Sequence, residues 1–140
     1  MFETKEVVSL TQIRRPMLDY LCRSGIVVPV TPGGRGRGRK RMYSFGDIVF
    51  LKVIARLLQA GISVKRMKDS FAGMNKKFRE MGETSRIPGV LVTDGKSIYF
   101  RDGDKKLVDL MSGQQCFAFL VELNPIRKEV IKQAKLLKSA

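Results

Sequence analysis

The sequence predicts an α+β chain: four helices around a basic hairpin in residues 1–82, then a small strand-rich α/β module with a closing helix in residues 87–140. Three observations predict it. Apolar residues recur at helical spacing through most of the chain, with short periodic runs near the N-terminus joined by a tight connection. The stretch GGRGRGRKRMYSF, residues 33–45, interrupts them with glycines and cations and then runs into a helix start. After residue 88, Val90–Val92 and Ile98–Phe100 are β-rich runs on either side of Asp94–Gly95, a strong turn dipeptide.

The elements follow in order. Thr4 is the expected cap of a first helix, with Val7, Val8 and Leu10 on its apolar side. Thr11–Gln12 make the connection. A second helix starts near Arg15–Pro16, because proline's missing N–H costs nothing in the first turn. Leu18, Leu21 and Cys22 share one face, and Ser24–Gly25 stop the helix. Two short helices so joined form a helix-turn-helix unit. Residues 33–39 contain no apolar side chain and read as a hairpin tip, with Arg41, Met42 and Tyr43 as the returning strand. Ser44 caps the third helix with Asp47 in its first turn. Ile48, Leu51, Ile54, Ala55 and Leu58 line that helix, and Ala60–Gly61 end it. Ser63 caps a fourth, through Val64, Met67 and Phe71 toward Phe78 and Met81. Gly82–Pro88 is the expected linker. The hairpin follows, then a short helix over 104–113 and an apolar strand over 116–123. The last helix is capped by Asn124 and carries Ile126, Val130, Ile131, Ala134 and Leu137 on one side. That side faces either its own module or a second subunit.

Composition narrows the function. A hydrophobic share of 44% supports a packed core, and no apolar run reaches the length of a membrane span. MFETKEVVSL has acidic residues and lacks the apolar stretch of a secretory signal, so a cytoplasmic protein is expected. Cys22 and Cys116 are then buried reduced thiols rather than a disulfide. The formal net charge is +14, unevenly spread: residues 1–86 hold 18 Lys+Arg against 7 Asp+Glu, and residues 87–140 hold 9 against 6. A basic N-terminal part points to a polyanion, nucleic acid before membrane. Enzyme chemistry finds no support. There is no histidine for general-base work, no phosphate-loop lysine motif, and no nucleophile with a base. Two lone cysteines make no metal site, and no cofactor is implied.

The segment TKEVVSLTQIRRPMLDYLCRSGIVVP, followed by RKRMYSFGDIVFLKVIARLLQAGISVKRM, resembles the winged helix-turn-helix DNA-binding domain of MerR-type transcriptional regulators. The shared features are the tyrosine-bearing second helix ending in RSGIVVP, the R-x-Y-S before the third helix, and L-x-x-A-G-I-S-V-x-x-M between the third and fourth. The resemblance covers about residues 4–75. It implies that the helix from Arg15 enters the major groove and that the hairpin at 33–41 is a wing on the phosphate backbone and adjacent minor groove. The expected DNA contacts are Arg14, Arg15, Tyr20 and Arg23 on the helix, and Arg35, Arg37, Arg39, Lys40, Arg41 and Tyr43 on the wing. Glycines let the wing approach closely, and arginines suit a narrow minor groove. Arg56, Lys65, Arg66 and Lys68 are either flanking phosphate contacts or solvated charges. Two departures stand out. Asp19 occupies a position that is typically arginine in the family. An acid there repels phosphate, and its expected partner is Arg15 or Arg23, each four residues away. Gln12 stands where a glycine is common in the turn.

The resulting expectation is a bacterial, nucleoid-associated regulator that binds double-stranded DNA as a homodimer, with one recognition helix and one wing per half-site. By resemblance it distorts promoter DNA, with RNA polymerase as a further partner. Two rivals stay open: an architectural DNA-bending protein of the excisionase or nucleoid type, and an antitoxin-like regulator whose residues 87–140 bind another protein. RNA is the least favoured partner, since no aromatic stacking platform is visible.

Overall fold

Phe2–Glu3 form a short strand, β1, that the sequence reading omits. The computed structural model describes residues 1–31, 40–71, 78–79, 90–93, 98–101 and 119–139. In it β1 pairs antiparallel with β2 (Met42–Tyr43), Phe2 opposite Tyr43 and Glu3 opposite Met42. Two residues are too few to show an alternating pattern. The pairing exists because Phe2 and Tyr43 are both buried in the core beside it. Thr31 also bridges Met42 antiparallel, the Met42 N–H donating to the Thr31 carbonyl at 3.0 Å. The chain therefore leaves and returns at one place, with residues 32–39 between.

Helix α1 (Thr4–Thr11) starts one residue earlier than expected. Glu3, not Thr4, holds the cap position, and its N–H donates to Glu6 Oε1 at 3.1 Å. At the other end the Thr11 hydroxyl donates to the Val7 carbonyl at 2.8 Å and accepts from the Ile13 N–H at 3.3 Å, so this buried polar group is satisfied. Gln12 then turns the chain with φ 62°, the left-handed region. This explains why a glycine suits the position. Helix α2 (Arg15–Arg23) follows, with Arg14 at its cap position and Pro16 in its first turn. Leu18 and Leu21 anchor it in the core. Gly25, at φ +82°, ends it.

Helix α3 (Phe45–Gln59) is the centre of the molecule. Ser44 and Asp47 close its first turn reciprocally: the Asp47 N–H donates to Ser44 Oγ at 3.1 Å and the Ser44 N–H to Asp47 Oδ2 at 2.9 Å. The sequence suggests one apolar stripe. The structure buries Val49, Phe50 and Val53 as well as Ile48, Leu51 and Ile54. A helix with apolar residues on most sides needs cover on most sides, and here a distant segment supplies part of it, while Arg56 and Gln59 stay exposed. After α3, Gly61 at φ +94° lets the Ile62 N–H reach back to the Leu57 carbonyl at 3.0 Å. Helix α4 (Val64–Phe71) buries Val64 and Met67. The expected continuation toward Met81 crosses residues outside those described. Phe78 and Arg79 are helical, and the Phe78 ring lies 5.0 Å from that of Phe50.

Strands β3 (Val90–Thr93), β4 (Ile98–Arg101) and β5 (Phe119–Glu122) form an antiparallel sheet in the order β4-β3-β5. Val90 is opposite Arg101 and Glu122, and Thr93 is opposite Ile98 and Phe119. The expected linker at 82–88, the Asp94–Gly95 turn, the short helix at 104–113 and Cys116 lie outside the described residues. The last helix, α5 (Leu123–Ser139), begins one residue before the expected Asn124 cap. It rests on α3 and α1. Leu123, Ile126, Val130 and Ala134 thereby share one hydrophobic cluster with the N-terminal helices. A polar bridge reinforces this packing. Lys52 on α3 donates to Gln133 Oε1 at 3.0 Å and lies 3.1 Å from Glu129 Oε1. Among the described residues no helix is long and apolar enough to cross a membrane.

Candidate nucleic-acid interface

Helix α2 has a buried side and an exposed one, with Met17, Asp19 and Cys22 half-buried between them. Leu18 and Leu21 are fully buried, while Arg14, Arg15, Pro16, Tyr20 and Arg23 are exposed. Tyr20 keeps 45% of its surface accessible, much for a tyrosine on a packed helix. The Arg23 guanidinium sits over its ring at 6.0 Å from the centroid, a cation–π contact that orients both. The residues expected to contact DNA here, Arg14 at the cap and Arg15, Tyr20 and Arg23 on the helix, are thus all exposed. The cause is local. The left-handed Gln12 sets the angle between α1 and α2, and the two leucines fix which side of α2 faces inward.

The wing root is more selective. Arg35, Arg37 and Arg39 lie outside the described residues. Lys40 is exposed, with Nζ 3.7 Å from Glu3 Oε1, a surface pair that constrains it little. Arg41 is different. Its guanidinium donates to Asp19 Oδ1 and forms an ion pair with that carboxylate. Asp19 therefore pairs across the fold with Arg41, and not with Arg15 or Arg23 along its own helix. The fold supplies a partner from 22 positions away in sequence, which helical spacing does not anticipate. Burial is the largest influence on Arg41 and disfavours its charge, but the hydrogen bond to Asp19, together with Tyr43 and Cys22, more than offsets it and raises the guanidinium above its usual pKa.

Tyr43, expected to touch DNA, is a core residue with no accessible surface. It is opposite Phe2 in the strand pair, and its hydroxyl lies 3.5 Å from Cys22 Sγ. Burial, with Cys22 adding to it, pushes the phenol well above its ordinary pKa range. Its role is to join the returning strand to α2. The R-x-Y spacing carries a signal for this, since residues two apart on a strand share a face. Arg41 and Tyr43 both reach toward α2, one to Asp19 and the other to Cys22. Among the described residues no group of His, Cys, Asp and Glu side chains is arranged to hold a metal ion.

Two short helices meeting at a left-handed turn, the second bearing arginines and a tyrosine outward, define a helix-turn-helix protein. The chain belongs to the MerR HTH family of regulatory proteins, whose family model matches residues 2–73. The match begins at β1, the strand that the sequence reading omits. Over 98 residues the chain is 35% identical to an uncharacterized HTH-type transcriptional regulator of Mycobacterium bovis, covering 70% of this chain and 42% of that protein. Two proteins of the same description from Mycobacterium tuberculosis align to the same extent. The chain thus spans less than half the length of the curated relatives it matches.

Proposed function

We propose that this chain is a cytoplasmic, sequence-specific regulator of transcription that binds double-stranded DNA. In this reading α2 enters the major groove, the glycine–arginine segment lies along the backbone and adjacent minor groove as a wing, and two copies occupy an inverted-repeat operator. One observation carries it: Arg14 at the cap of α2 and Arg15, Tyr20 and Arg23 on the helix are exposed, and α2 is tied through Asp19–Arg41 to the root of a segment containing Arg35, Arg37 and Arg39. Arginine is the side chain most often used to read guanine, and it also binds phosphate. Membership of the MerR family, and relatives named as transcriptional regulators, support the same reading.

The test is selection of random-sequence duplexes by the purified protein. The winner and a scrambled duplex are then titrated across a salt series. An inverted-repeat consensus bound more tightly than the scramble at every salt concentration is the expected result. Log affinity should fall with log salt by roughly 0.9 per phosphate contact, and removing a wing arginine should reduce that slope by about one contact. Equal binding of both duplexes with the same steep slope overturns the sequence-specific reading and leaves an architectural DNA binder.

A further inference from the structure

A recognition surface rich in arginine contains one acid, Asp19, at its centre. Arg15 precedes it and Arg23 follows it by four residues, and Tyr20 is next to it. We propose that Asp19 is a specificity-determining residue, held by Arg41 so that it accepts a hydrogen bond from the amino group of a cytosine in the major groove. The inference rests on the DNA-binding reading above and names one base contact within it.

Four observations lead there. First, the ion pair is lopsided: the Arg41 side chain retains 20% of its surface and the Asp19 side chain 41%. The cation is the more sheltered partner and the acid the more available one. Arg41 is therefore poorly placed to serve as a phosphate contact, whereas Asp19 remains on the outer face of α2. Second, Arg41 engages Oδ1. A carboxylate has two oxygens and about four acceptor positions, so one partner leaves capacity for a base. Third, the pairing links α2 to the residue preceding β2, so Asp19 is fixed from outside its own helix. A side chain fixed before binding loses less freedom on contact. Fourth, pairing with Arg41 offsets the negative charge that otherwise repels the DNA backbone.

The chemistry then selects the base. An ionised carboxylate only accepts hydrogen bonds. In the major groove the donors are the amino groups of cytosine and adenine, and Asp is suited to the cytosine N4 amino group. Guanine offers only acceptors on that edge, and thymine an acceptor and a methyl group, so both meet the acid unfavourably. Discrimination arises from repulsion as well as attraction.

Duplex selection with the wild-type chain and with Asp19→Ala, Asp19→Asn and Arg41→Met tests this. Circular dichroism and melting of each variant confirm its fold. The wild type should select a cytosine at one position of each half-site, and replacing it should weaken binding roughly 5- to 150-fold. Asp19→Ala should bring that discrimination to within about twofold while the rest of the consensus persists. Asp19→Asn should move the preference toward adenine, which an amide pairs at N6 and N7. A purely structural role for the pair does not produce that shift. Arg41→Met should weaken binding to every sequence, because Asp19 is then uncompensated. A consensus left unchanged by Asp19→Ala overturns this inference alone. A wild-type chain that selects no consensus overturns both it and the sequence-specific reading.

Discussion

A Cβ on Gly46 would collide with the backbone carbonyl oxygen of Phe78. The first turn of α3 and the Phe78–Arg79 backbone therefore touch at a point where only glycine fits. Phe78 is buried against Phe50 there, and Arg79 Nε lies 3.6 Å from Asp47 Oδ1. Arg79 also donates to the Val28 carbonyl, so this short segment ties the start of α3 to the chain after α2. Because the opposing atom is backbone, Gly46→Ala requires the two segments to separate. We expect it to lower stability by about 3 kcal/mol in urea unfolding, the upper part of the usual range for overpacking. Phe78→Ala should cost a similar ~3–5 kcal/mol through the cavity it leaves. An unchanged midpoint in both variants would refute the contact.

The turn between α1 and α2 makes the opposite prediction. Gln12 holds φ 62°, a conformation that costs most non-glycine residues about 1 kcal/mol or more. Its side-chain amide recovers a little by donating to the Ser9 carbonyl at 3.1 Å. Gln12→Gly removes the steric cost and should raise stability by about 1 kcal/mol, seen as a higher melting temperature. Gln12→Val, branched at Cβ, should lower it.

Lys52 joins α5 to the rest of the protein. Its side chain is only 12% exposed and is satisfied by Glu129 and Gln133. Lys52→Glu places a carboxylate against Glu129 and should loosen α5. Hydrogen exchange should then rise through residues 123–139 while Leu18 and Leu21 stay protected. Adding Glu129→Lys should restore protection by reversing the pair. If exchange in α5 does not respond to either change, the bridge contributes nothing to docking.

Tyr43 predicts an alkaline weakness. Its folded-state pKa is raised above the unfolded value near 10. Below that value both states hold the proton and the contribution is complete. Above it the unfolded chain releases the proton and the folded chain keeps it, so stability falls as pH rises through the folded pKa. The slope from this one group approaches ~1.4 kcal/mol per pH unit. Tyr43→Phe should flatten that part of the profile, measured as urea midpoints from pH 9 upward. A Tyr43→Phe profile parallel to the wild type would remove the tyrosine as the cause.

Much of the chain is legible because local rules decide it. Ser44 and Asp47 announce the start of α3, Gly25 and Gly61 announce two helix ends, and Leu18 and Leu21 announce the inner face of α2. In each case neighbours within one helical turn settle the outcome. The outward arginines of α2 follow from the same spacing. Strand β1 was not legible, since two residues carry no period. The partner of Asp19 and the burial of Tyr43 were not legible either, because both depend on where residues 40–43 return to the helices.

By itself, the sequence determined the helices and their caps, the basic character of the N-terminal part, and the side of α2 that turns outward. These rest on spacing, side-chain volume and charge, which are properties of neighbouring residues. The tertiary structure decided that Arg41 serves Asp19, that Tyr43 belongs to the core, and that α5 covers the far side of α3. Each of those is a pairing between segments distant along the chain. Such a pairing depends on which buried surfaces meet, and a local pattern records only that a surface needs a partner.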